Sequence, residues 1–401
     1  MSNLIVLPVE INGVELTFLL DTGVNKPILF NLTENDSLQI NNVRKIMIRG
    51  LGSGAPVEAL LSKNNTMKIG GVVSTDQEMY VVLDENLNFS TRLGIPIHGI
   101  IGHDLLKDFI VELKYSTKRL KFYDPDNYQY KNCKKCETFP LNFNGKKPYL
   151  DAMVTVDDNE EIPVKLLIDS GGSDAVWLFE NVEKGIRVPE RNFRDFLGRG
   201  LGGSIYGERS RLQTFKVGSF ELKDAKVAFP DSLDIELAYA YQERNGSIGG
   251  DILKRFDLVL DYPNQQLTLK KNGLFKKPFE YNMSGIELQH NGTRMVKKLD
   301  AQYGGVKRKD DSSIEIVLSD IYKMALVPAF EIAEVREGSP AEASGLKKGD
   351  ILVSINGKGV DSYELQEVIG MLSNRDGKNI RLIVERNGKE LRFDFKLRKL
   401  L

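Results

Sequence analysis

Two short segments, Asp21-Thr22-Gly23 and Asp169-Ser170-Gly171, each place an aspartate directly after a run of apolar residues. Such a run predicts a buried strand, and the glycine lets the following backbone approach another segment closely. If the two segments face each other, their carboxyl groups cannot both ionise, so they share one proton. The ionised group can then take a proton from water while the protonated group donates to a carbonyl oxygen. The pair therefore predicts acyl hydrolysis without a metal and without a covalent intermediate.

The two aspartates belong to an internal repeat. Asp169 follows Asp21 by 148 residues, the glycine-rich segment 49–54 returns 150 residues later at 199–204, and the segment 102–109 returns 147 residues later at 249–256. Three anchors in the same order at nearly constant spacing indicate a duplicated half. Each half has the alternating or continuous apolar pattern of strands, a glycine-rich turn and one short helix.

The repeat predicts the domain organisation. We expect a first half over 1–123, a linker over 124–144 that is rich in Lys, Asn and Asp, a second half over 145–272, and a further domain over 273–401. The predicted fold class is mainly β, with two related halves followed by a domain of mixed α/β character.

The C-terminal region carries a different motif. Gly338-Ser339-Pro340-Ala341 is followed by Gly345-Leu346, by Gly349-Asp350 and by a tight Asn356-Gly357 turn. This pattern resembles the PDZ domains of bacterial envelope proteases. Such a domain binds an extended peptide between a strand and a helix, by adding the peptide to the sheet. We expect this groove to be lined by residues of strand 330–335 and of a helix after Asp361, namely Phe330, Ile332, Val368 and Leu372.

Nearly the whole chain resembles the retropepsin-like aspartic proteases, specifically the bacterial single-chain members with a PDZ domain. The resemblance implies that Asp21 and Asp169 are catalytic. It also implies that the active-site loops include the residues next to them and that two glycine-rich tips act as flaps over the substrate. The loop residues are Thr22, Gly23, Ser170 and Gly171, and the flap residues are Gly50, Gly52, Gly200 and Gly202. The implied activity is that of an aspartic endopeptidase, with the PDZ domain recruiting or gating the substrate.

Two other functions are compatible with parts of the sequence. A PDZ-bearing serine protease would use Ser170 as nucleophile, but Ile168 stands where an oxyanion-hole glycine is needed, and Asp21-Thr22-Gly23 would be unexplained. A catalytically silent scaffold would keep the fold only to bind peptides, because a fold alone does not establish turnover.

Composition limits the partners and cofactors. The 55 Lys and Arg almost balance the 56 Asp and Glu, so no basic surplus favours nucleic acid. No apolar stretch is long enough to predict a membrane span. Cys133 and Cys136 are half of a zinc motif without a second half, so we expect no metal and no cofactor, and a linker pair or a small disulfide.

The expected partners are polypeptide substrates and the C-termini of peptides or proteins at the PDZ groove. Because one chain carries both aspartates, we expect it to be active as a monomer. The N-terminus leaves the compartment open: exported or periplasmic if a signal was removed, otherwise cytoplasmic.

Overall fold

The computed structural model describes residues 3–32, 38–84, 90–157, 160–308, 310, 313–373 and 375–401. The chain divides into two compact units. One comprises residues 1–90, 95–282 and 399–401, and the other comprises residues 91–94 and 283–398. Residues 273–282 thus belong to the first unit. No helix among the described residues is long and apolar enough to cross a membrane.

The first half of the first unit is built on alternating apolar strands. Its elements are β1 (Val6–Ile11), β2 (Val14–Leu20), β3 (Ile28–Leu29), β4 (Arg44–Ile48), β5 (Val57–Ile69), β6 (Val72–Val81), β7 (Gly99–Ile101), α2 (His103–Leu106), β8 (Ile110–Lys114) and β9 (Arg119–Tyr123). Helix α1 (Ser90–Leu93) lies between β6 and β7 in the chain, and its residues 91–93 belong to the second unit. In β2, Leu16, Phe18 and Leu20 point to one side and are buried, which fixes the strand that ends at Asp21. The strands run in the order β1-β2-β7-β3-β6-β5-β4, and an additional pairing of β1 with β5 curls the sheet back on itself.

The second half repeats this plan. Its sheet has the order β11-β12-β13-β18-β14-β17-β16-β15, and the additional pairing of β12 with β16 corresponds to that of β1 with β5. Ile162, Val164, Leu166 and Ile168 alternate along β13 and are buried, just before Asp169. The elements are β10 (Cys136–Pro140), β11 (Asn142–Asn144), β12 (Lys147–Thr155), β13 (Glu161–Ile168), β14 (Val176–Leu178), β15 (Phe193–Gly200), β16 (Gly203–Val217), β17 (Phe220–Pro230), β18 (Arg244–Ile248), α3 (Gly250–Leu253), β19 (Phe256–Asp261) and β20 (Gln266–Lys271).

A further sheet joins the two halves. Its order is β10-β20-β19-β8-β9, so β8 of the first half pairs antiparallel with β19 of the second. Its edge strand β10 lies inside the segment predicted as a linker and pairs with β20. In the same segment, Cys133 and Cys136 form a disulfide.

The second unit contains an antiparallel sheet with the order β21-β22-β23-β25-β26, and β24 pairs with β23. Its own apolar core includes Phe330, Leu352, Val368 and Leu382. The elements are β21 (Ile286–Arg308), β22 (Ile314–Val335), α4 (Pro340–Ser344), β23 (Ile351–Ile355), β24 (Lys358–Gly359), α5 (Leu365–Met371), β25 (Asn379–Arg386) and β26 (Lys389–Lys396).

Candidate active site

Asp21 and Asp169 occupy equivalent loops. The backbone N–H of Asp21 donates to the carbonyl oxygen of Ile101 at 2.8 Å, and that of Asp169 donates to Ile248 at 2.9 Å. These acceptors end β7 and β18, which lie beside β2 and β13 as parallel neighbours. Each aspartate is therefore held at the same point of its half, at the end of a central strand.

The small hydroxyl residues after the aspartates connect the two loops. The Thr22 hydroxyl donates to the carbonyl of Ile168 at 2.5 Å, and the Ser170 hydroxyl donates to the carbonyl of Leu20 at 2.8 Å. Each hydroxyl also accepts the backbone N–H of the other residue at 3.1 Å. Because both side chains are buried, this reciprocal network fixes the loops against each other without competition from water.

The carboxyl groups lie close to the opposite loop. A Cβ placed on Gly171 would lie 2.4 Å from the Oδ2 of Asp21, and one on Gly23 would lie 3.9 Å from the Cγ of Asp169. Glycine is therefore required at 171 by the close approach of the first carboxyl group. The predicted loop residues Thr22, Gly23, Ser170 and Gly171 are thus brought together around both aspartates.

The surroundings raise the pKa of both carboxyl groups. Burial, followed by the negative charge of Asp169, raises the pKa of Asp21 to about 7. Burial also raises the pKa of Asp169, although Arg244, the backbone N–H groups of Gly172 and Gly171, and Lys147 oppose that shift. A pair with raised pKa values keeps one proton near neutral pH, which is the protonation state that acid–base hydrolysis requires.

Two tyrosines lie near the aspartates, one beside each, in a pseudo-symmetric arrangement. Tyr115 lies near Asp169 and Tyr262 lies near Asp21, and burial raises the pKa of both phenols. Both hydroxyl groups are buried and have no hydrogen-bond partner among the described residues. These tyrosines were not among the residues that the sequence predicted for the site. Their spacing of 147 residues, the same as that of the third anchor, was the available signal.

The two glycine-rich tips contact each other. Gly54 donates its N–H to the carbonyl of Gly202, and Gly202 donates to that of Leu51, both at 2.8 Å. Gly52 donates to the carbonyl of Asp234 at 2.7 Å. A Cβ on Gly52 would lie 2.4 Å from the backbone carbon of Gly202, so the approach of the tips requires glycine there.

The outer glycines of the two tips are equally crowded. A Cβ on Gly50 would lie 2.7 Å from the Cβ of Leu201, and one on Gly200 would lie 2.2 Å from the carbonyl oxygen of Leu51. Leu51 itself packs against an apolar cluster of the second half that includes Phe179 and Ile235. The structure thus places all of the predicted flap glycines in one junction between the halves.

The structure corrects the predicted PDZ groove. Phe330 and Ile332 lie on β22, whose backbone bonds are taken by β21 on one side and by β23 with its preceding turn on the other, so no peptide can add to this stretch. Their side chains, like those of Val368 and Leu372, are buried in the core of the unit. The terminal strand of this sheet that contacts α5 is instead β21.

No group of three or more potential metal-binding side chains occurs among the described residues. The histidines have other contacts: the Nδ1 of His98 accepts the N–H of Thr17 at 3.0 Å, and His103 lies 3.5 Å from Asp104. His290 packs edge-on against Phe330 in the second unit.

Comparison with known families identifies the class. The sequence model of the aspartyl protease family matches residues 7–105 and 152–252, one segment in each half, and that of the PDZ domain family matches residues 331–386. The chain belongs to the aspartyl protease family and carries a C-terminal PDZ domain. The predicted fold class, mainly β with two related segments before a PDZ domain, is confirmed.

Curated relatives match over short segments only. A probable periplasmic serine endoprotease (DegP-like) of Chlamydia pneumoniae is 38% identical over 76 residues, 19% of this chain and 15% of the relative. A probable CtpA-like serine protease of Staphylococcus saprophyticus is 28% identical over 102 residues, 24% and 21% of the two chains. A protein of Agrobacterium fabrum named as a zinc metalloprotease is 44% identical over 62 residues, 15% and 16% of the two chains.

The chain therefore spans about a fifth or less of the length of these relatives. Their names include both serine and zinc proteases, while the matched segments have the length of one small domain. This similarity is compatible with proteolysis but does not assign a catalytic type.

Proposed function

We propose that the protein is an aspartic endopeptidase of the retropepsin-like, single-chain kind, with Asp21 and Asp169 as its catalytic residues. The observation that supports this most directly is the reciprocal bonding of Thr22 and Ser170, which ties the two loops that carry the aspartates to each other across the halves. Both carboxyl groups have raised pKa values, which favours a shared proton near neutral pH.

The reaction follows from this arrangement. A water molecule between the carboxyl groups loses a proton to the ionised one as its oxygen attacks the carbonyl carbon of the peptide bond. The protonated carboxyl group donates its proton to the carbonyl oxygen, which gives a tetrahedral intermediate. The intermediate collapses when the leaving nitrogen accepts a proton and the C–N bond breaks. The flap glycines would close over the substrate and exclude bulk water during these steps.

Asparagine substitutions test the proposal. Asp21→Asn and Asp169→Asn should each lower kcat for an unstructured peptide by about 10³-fold or more, because neither variant can hold the shared proton. Both proteins should remain folded, and removal of a buried carboxyl group with a raised pKa should increase the melting temperature. Asp108→Asn, at an exposed position, is the matched control.

Three outcomes separate the candidate functions. Full activity in either purified Asn variant would exclude the aspartic mechanism. If the wild-type protein cleaves no peptide in a broad library, the silent scaffold is favoured. A serine-directed acylating reagent should leave activity intact, since the Ser170 hydroxyl is buried and already donates to Leu20.

The pH profile provides an independent measurement. Because the pKa of Asp21 is about 7, the pair loses its remaining proton as the pH rises through that value. We therefore expect kcat/KM to fall on the alkaline side with an apparent pKa near 7. A profile that is flat from pH 6 to 9 would contradict the shared proton.

We also propose that the PDZ domain binds peptide or protein C-termini between β21 and α5. β21 is the terminal strand in the order of its sheet, and α5 contacts β21 to form the opposite wall. Removal of residues 283–401 should change cleavage of protein substrates more than cleavage of short peptides. Equal effects on both substrate types would assign the domain another task.

A single chain supplies both aspartates, so we propose that the active form is a monomer. Specific activity should be independent of dilution, and a mixture of the two Asn variants should remain inactive. Recovery of activity in the mixture would place the working pair between two chains.

A further inference from the structure

One arginine joins the loop of Asp169 to the flap of the second half, the hairpin of β15 and β16. Arg209 lies on β16, and its Nη1 donates at 2.8 Å to the Oδ1 of Asp174, which follows the aspartate by five residues. Its Nε donates to the Oδ2 of Asp195 at 2.8 Å, and its Nη2 donates to the carbonyl oxygen of Phe196 at 3.1 Å. Both of these acceptors belong to β15. A single guanidinium group therefore connects the active-site loop with both strands of this flap.

The ion pairs of this arginine are largely shielded from water. The side chains of Arg209 and Asp195 are each 11% exposed, and that of Asp174 is 16% exposed. Burial alone would lower the pKa of Arg209, but the charges of Asp174 and Asp195 outweigh it and raise the pKa. Hydrogen bonds between charged groups are stronger than neutral ones, and the planar guanidinium group directs its donors along fixed lines. The contacts therefore fix the orientation of the loop relative to the flap, and not only their proximity.

The partner of Arg209 in the active-site loop is itself held from other sides. The Nε1 of Trp177 donates to the Oδ2 of Asp174 at 2.8 Å, and the N–H of Asp251 donates to the carbonyl oxygen of Asp174 at 3.1 Å. Four residues, 170–173, separate Asp174 from Asp169. Because this segment is short and bonded at both ends, a displacement of Asp174 shifts the loop that carries the catalytic carboxyl group.

The flap bends directly beyond the contact with the arginine. The register of β15 and β16 shifts between Phe196 and Gly198. A β-bulge of this kind bends the strand locally. Arg209 is bonded to Phe196, the last residue before the shift, so the base of the flap is joined to the loop of Asp169 as one body. Movement of the flap relative to this body begins at the bulge.

The first half is built differently at the equivalent positions. Leu61 precedes Arg209 by 148 residues, the spacing of the two aspartates, and its side chain is buried. Lys26 is the counterpart of Asp174 and pairs at 2.6 Å with Glu78 on β6. The side chains of this pair are 27% and 31% exposed, so water screens it more than the contacts of Arg209. An apolar residue thus stands where the second half has the arginine.

The tips of the two flaps differ as well. In the first half, β4 and β5 pair only as far as Ile48 opposite Val57, so eight residues, 49–56, lie between the paired ends. In the second half, β15 and β16 pair as far as Gly200 opposite Gly203, so two residues, 201–202, lie between them. The second flap is therefore a nearly complete hairpin with a base that is joined to its loop.

We infer that Arg209 is a positioning residue for the proposed reaction, which holds the loop of Asp169 and the base of the second flap as one rigid body. The inference rests on the proposed aspartic mechanism and extends it to a residue outside the repeated motifs. A substrate clamped by the flap then meets the carboxyl group of Asp169 at a constant position, whether the flap tip has just closed or is about to open. Such alignment lowers the barrier of the chemical step, because small displacements of a reacting group are costly.

Steady-state kinetics of the full chain test the inference. Arg209→Met should lower kcat for an unstructured peptide about tenfold while KM changes less than about twofold, because the side chain acts through Asp169. Arg211→Met is the matched control: this arginine lies on the same strand but donates to the carbonyl oxygens of Asp224 at 2.9 Å and Phe279 at 3.1 Å. Its kcat should equal that of the wild type when measured well below the melting temperature. An unchanged kcat in Arg209→Met, or an equal loss in Arg211→Met, would overturn the inference.

Two further variants separate the contacts of the guanidinium group from its charge and from folding. Arg209→Lys keeps the charge but cannot reach all three acceptors, so it should recover only part of kcat. Full recovery with lysine would show that the three-way contact is not needed. If Arg209→Met does not fold, Asp195→Ala cuts the link to the flap and leaves the pair of Arg209 with Asp174. This variant should lower kcat about threefold, and an unchanged kcat would again overturn the inference.

Hydrogen exchange measured by mass spectrometry gives a readout that does not depend on catalysis. In Arg209→Met, amide exchange should accelerate about tenfold in two segments together, 171–178 of the loop and 193–200 of the flap. The equivalent segments of the first half, 23–30 and 44–50, should be unchanged, and Arg211→Met should show no acceleration in 171–178. Acceleration in the flap segment alone would show that the two elements are not one body. Failure of the proposed function is distinguishable, since it would appear as activity in Asp21→Asn or Asp169→Asn whatever the exchange pattern.

Discussion

The short helices α2 and α3 occupy equivalent places in the two halves but are held by different forces. In α3, Asp251 is buried and forms ion pairs with Lys226 and Lys254, each at 2.7 Å, and with the buried Arg255 at 3.6 Å. In α2, Asp104 has only the long contacts to His103 at 3.5 Å and Lys146 at 3.9 Å among the described residues.

The difference continues at the end of each helix. Arg255 donates to backbone carbonyls of the segment that follows β20, including that of Lys277, and its guanidinium lies 3.5 Å from the centre of the Phe279 ring. The equivalent position in the first half is Asp108, which is exposed. The duplicated halves thus share a backbone plan, while the second half depends on buried charge at a point where the first half does not.

Asp251→Asn should have the largest effect on stability. The substitution keeps the shape but leaves the buried Arg255 and the partly buried Lys226 and Lys254 without their counter-charge, and breaking a buried pair costs about 3–5 kcal/mol. Urea denaturation at pH 7 should measure this loss. If the free energy of unfolding falls by less than about 1 kcal/mol, the second half does not depend on buried charge more than the first half does.

Removal of the Thr22 hydroxyl and removal of the Ser170 hydroxyl should lower the stability by equal amounts. This would contrast with the unequal effects expected for substitutions in α2 and α3. Thr22→Ala and Ser170→Ala each leave a buried N–H and a buried carbonyl without a partner, which should cost about 3 kcal/mol of the free energy of unfolding. Denaturant midpoints of the two variants should agree. If the two variants lose stability by amounts that differ several-fold, the contact between the Thr22 and Ser170 loops is also asymmetric.

Acid should weaken the ion pairs that Asp251 of α3 forms with Lys226 and Lys254. Burial alone would raise the pKa of Asp251, but Lys226 and Lys254 outweigh it and lower the pKa to about 2. A depressed pKa contributes stability above the unfolded value near 3.8, and this is lost as the pH falls toward 2. The loss should be about 2 kcal/mol between pH 5 and 2. Asp251→Asn should lack this component of the acid dependence; an identical dependence in both proteins would contradict it.

Asp104→Asn should have the smallest effect, below about 1 kcal/mol, because its ion contacts are long. Thermal unfolding beside the wild type is sufficient to measure it. A loss as large as that of Asp251→Asn would indicate that α2 depends on a network comparable to that of α3.

The sequence predicted the parts of the site that repeat. Asp21-Thr22-Gly23 and Asp169-Ser170-Gly171 lie in equivalent loops because their strands have the same apolar pattern. Arg209 could not be predicted, because its role depends on cross-strand register, which brings it to Asp174 across 35 positions of the chain. Positions that differ between the halves also lack the repeat signal that revealed the aspartates.

The position of the PDZ groove could not be predicted from the sequence, for a different reason. The strand that the PDZ resemblance predicted at 330–335 lies within β22, but the sequence pattern does not distinguish an edge strand from an interior strand. The predicted helix residues Val368 and Leu372 have helical spacing because they face the core. Sheet order, which depends on long-range pairing, decides which strand can accept a peptide.

The pairing of β8 with β19 has a consequence for how the chain folds. Val111 lies opposite Leu260 and Leu113 opposite Leu258, so these contacts join residues almost 150 positions apart. During synthesis at roughly 5–20 residues per second, roughly 7–30 s pass between the synthesis of β8 and that of its partner strand. For that time the first half has an unpaired apolar strand edge, the kind of surface through which nascent chains aggregate. Completion of the second half is therefore the step that protects the first.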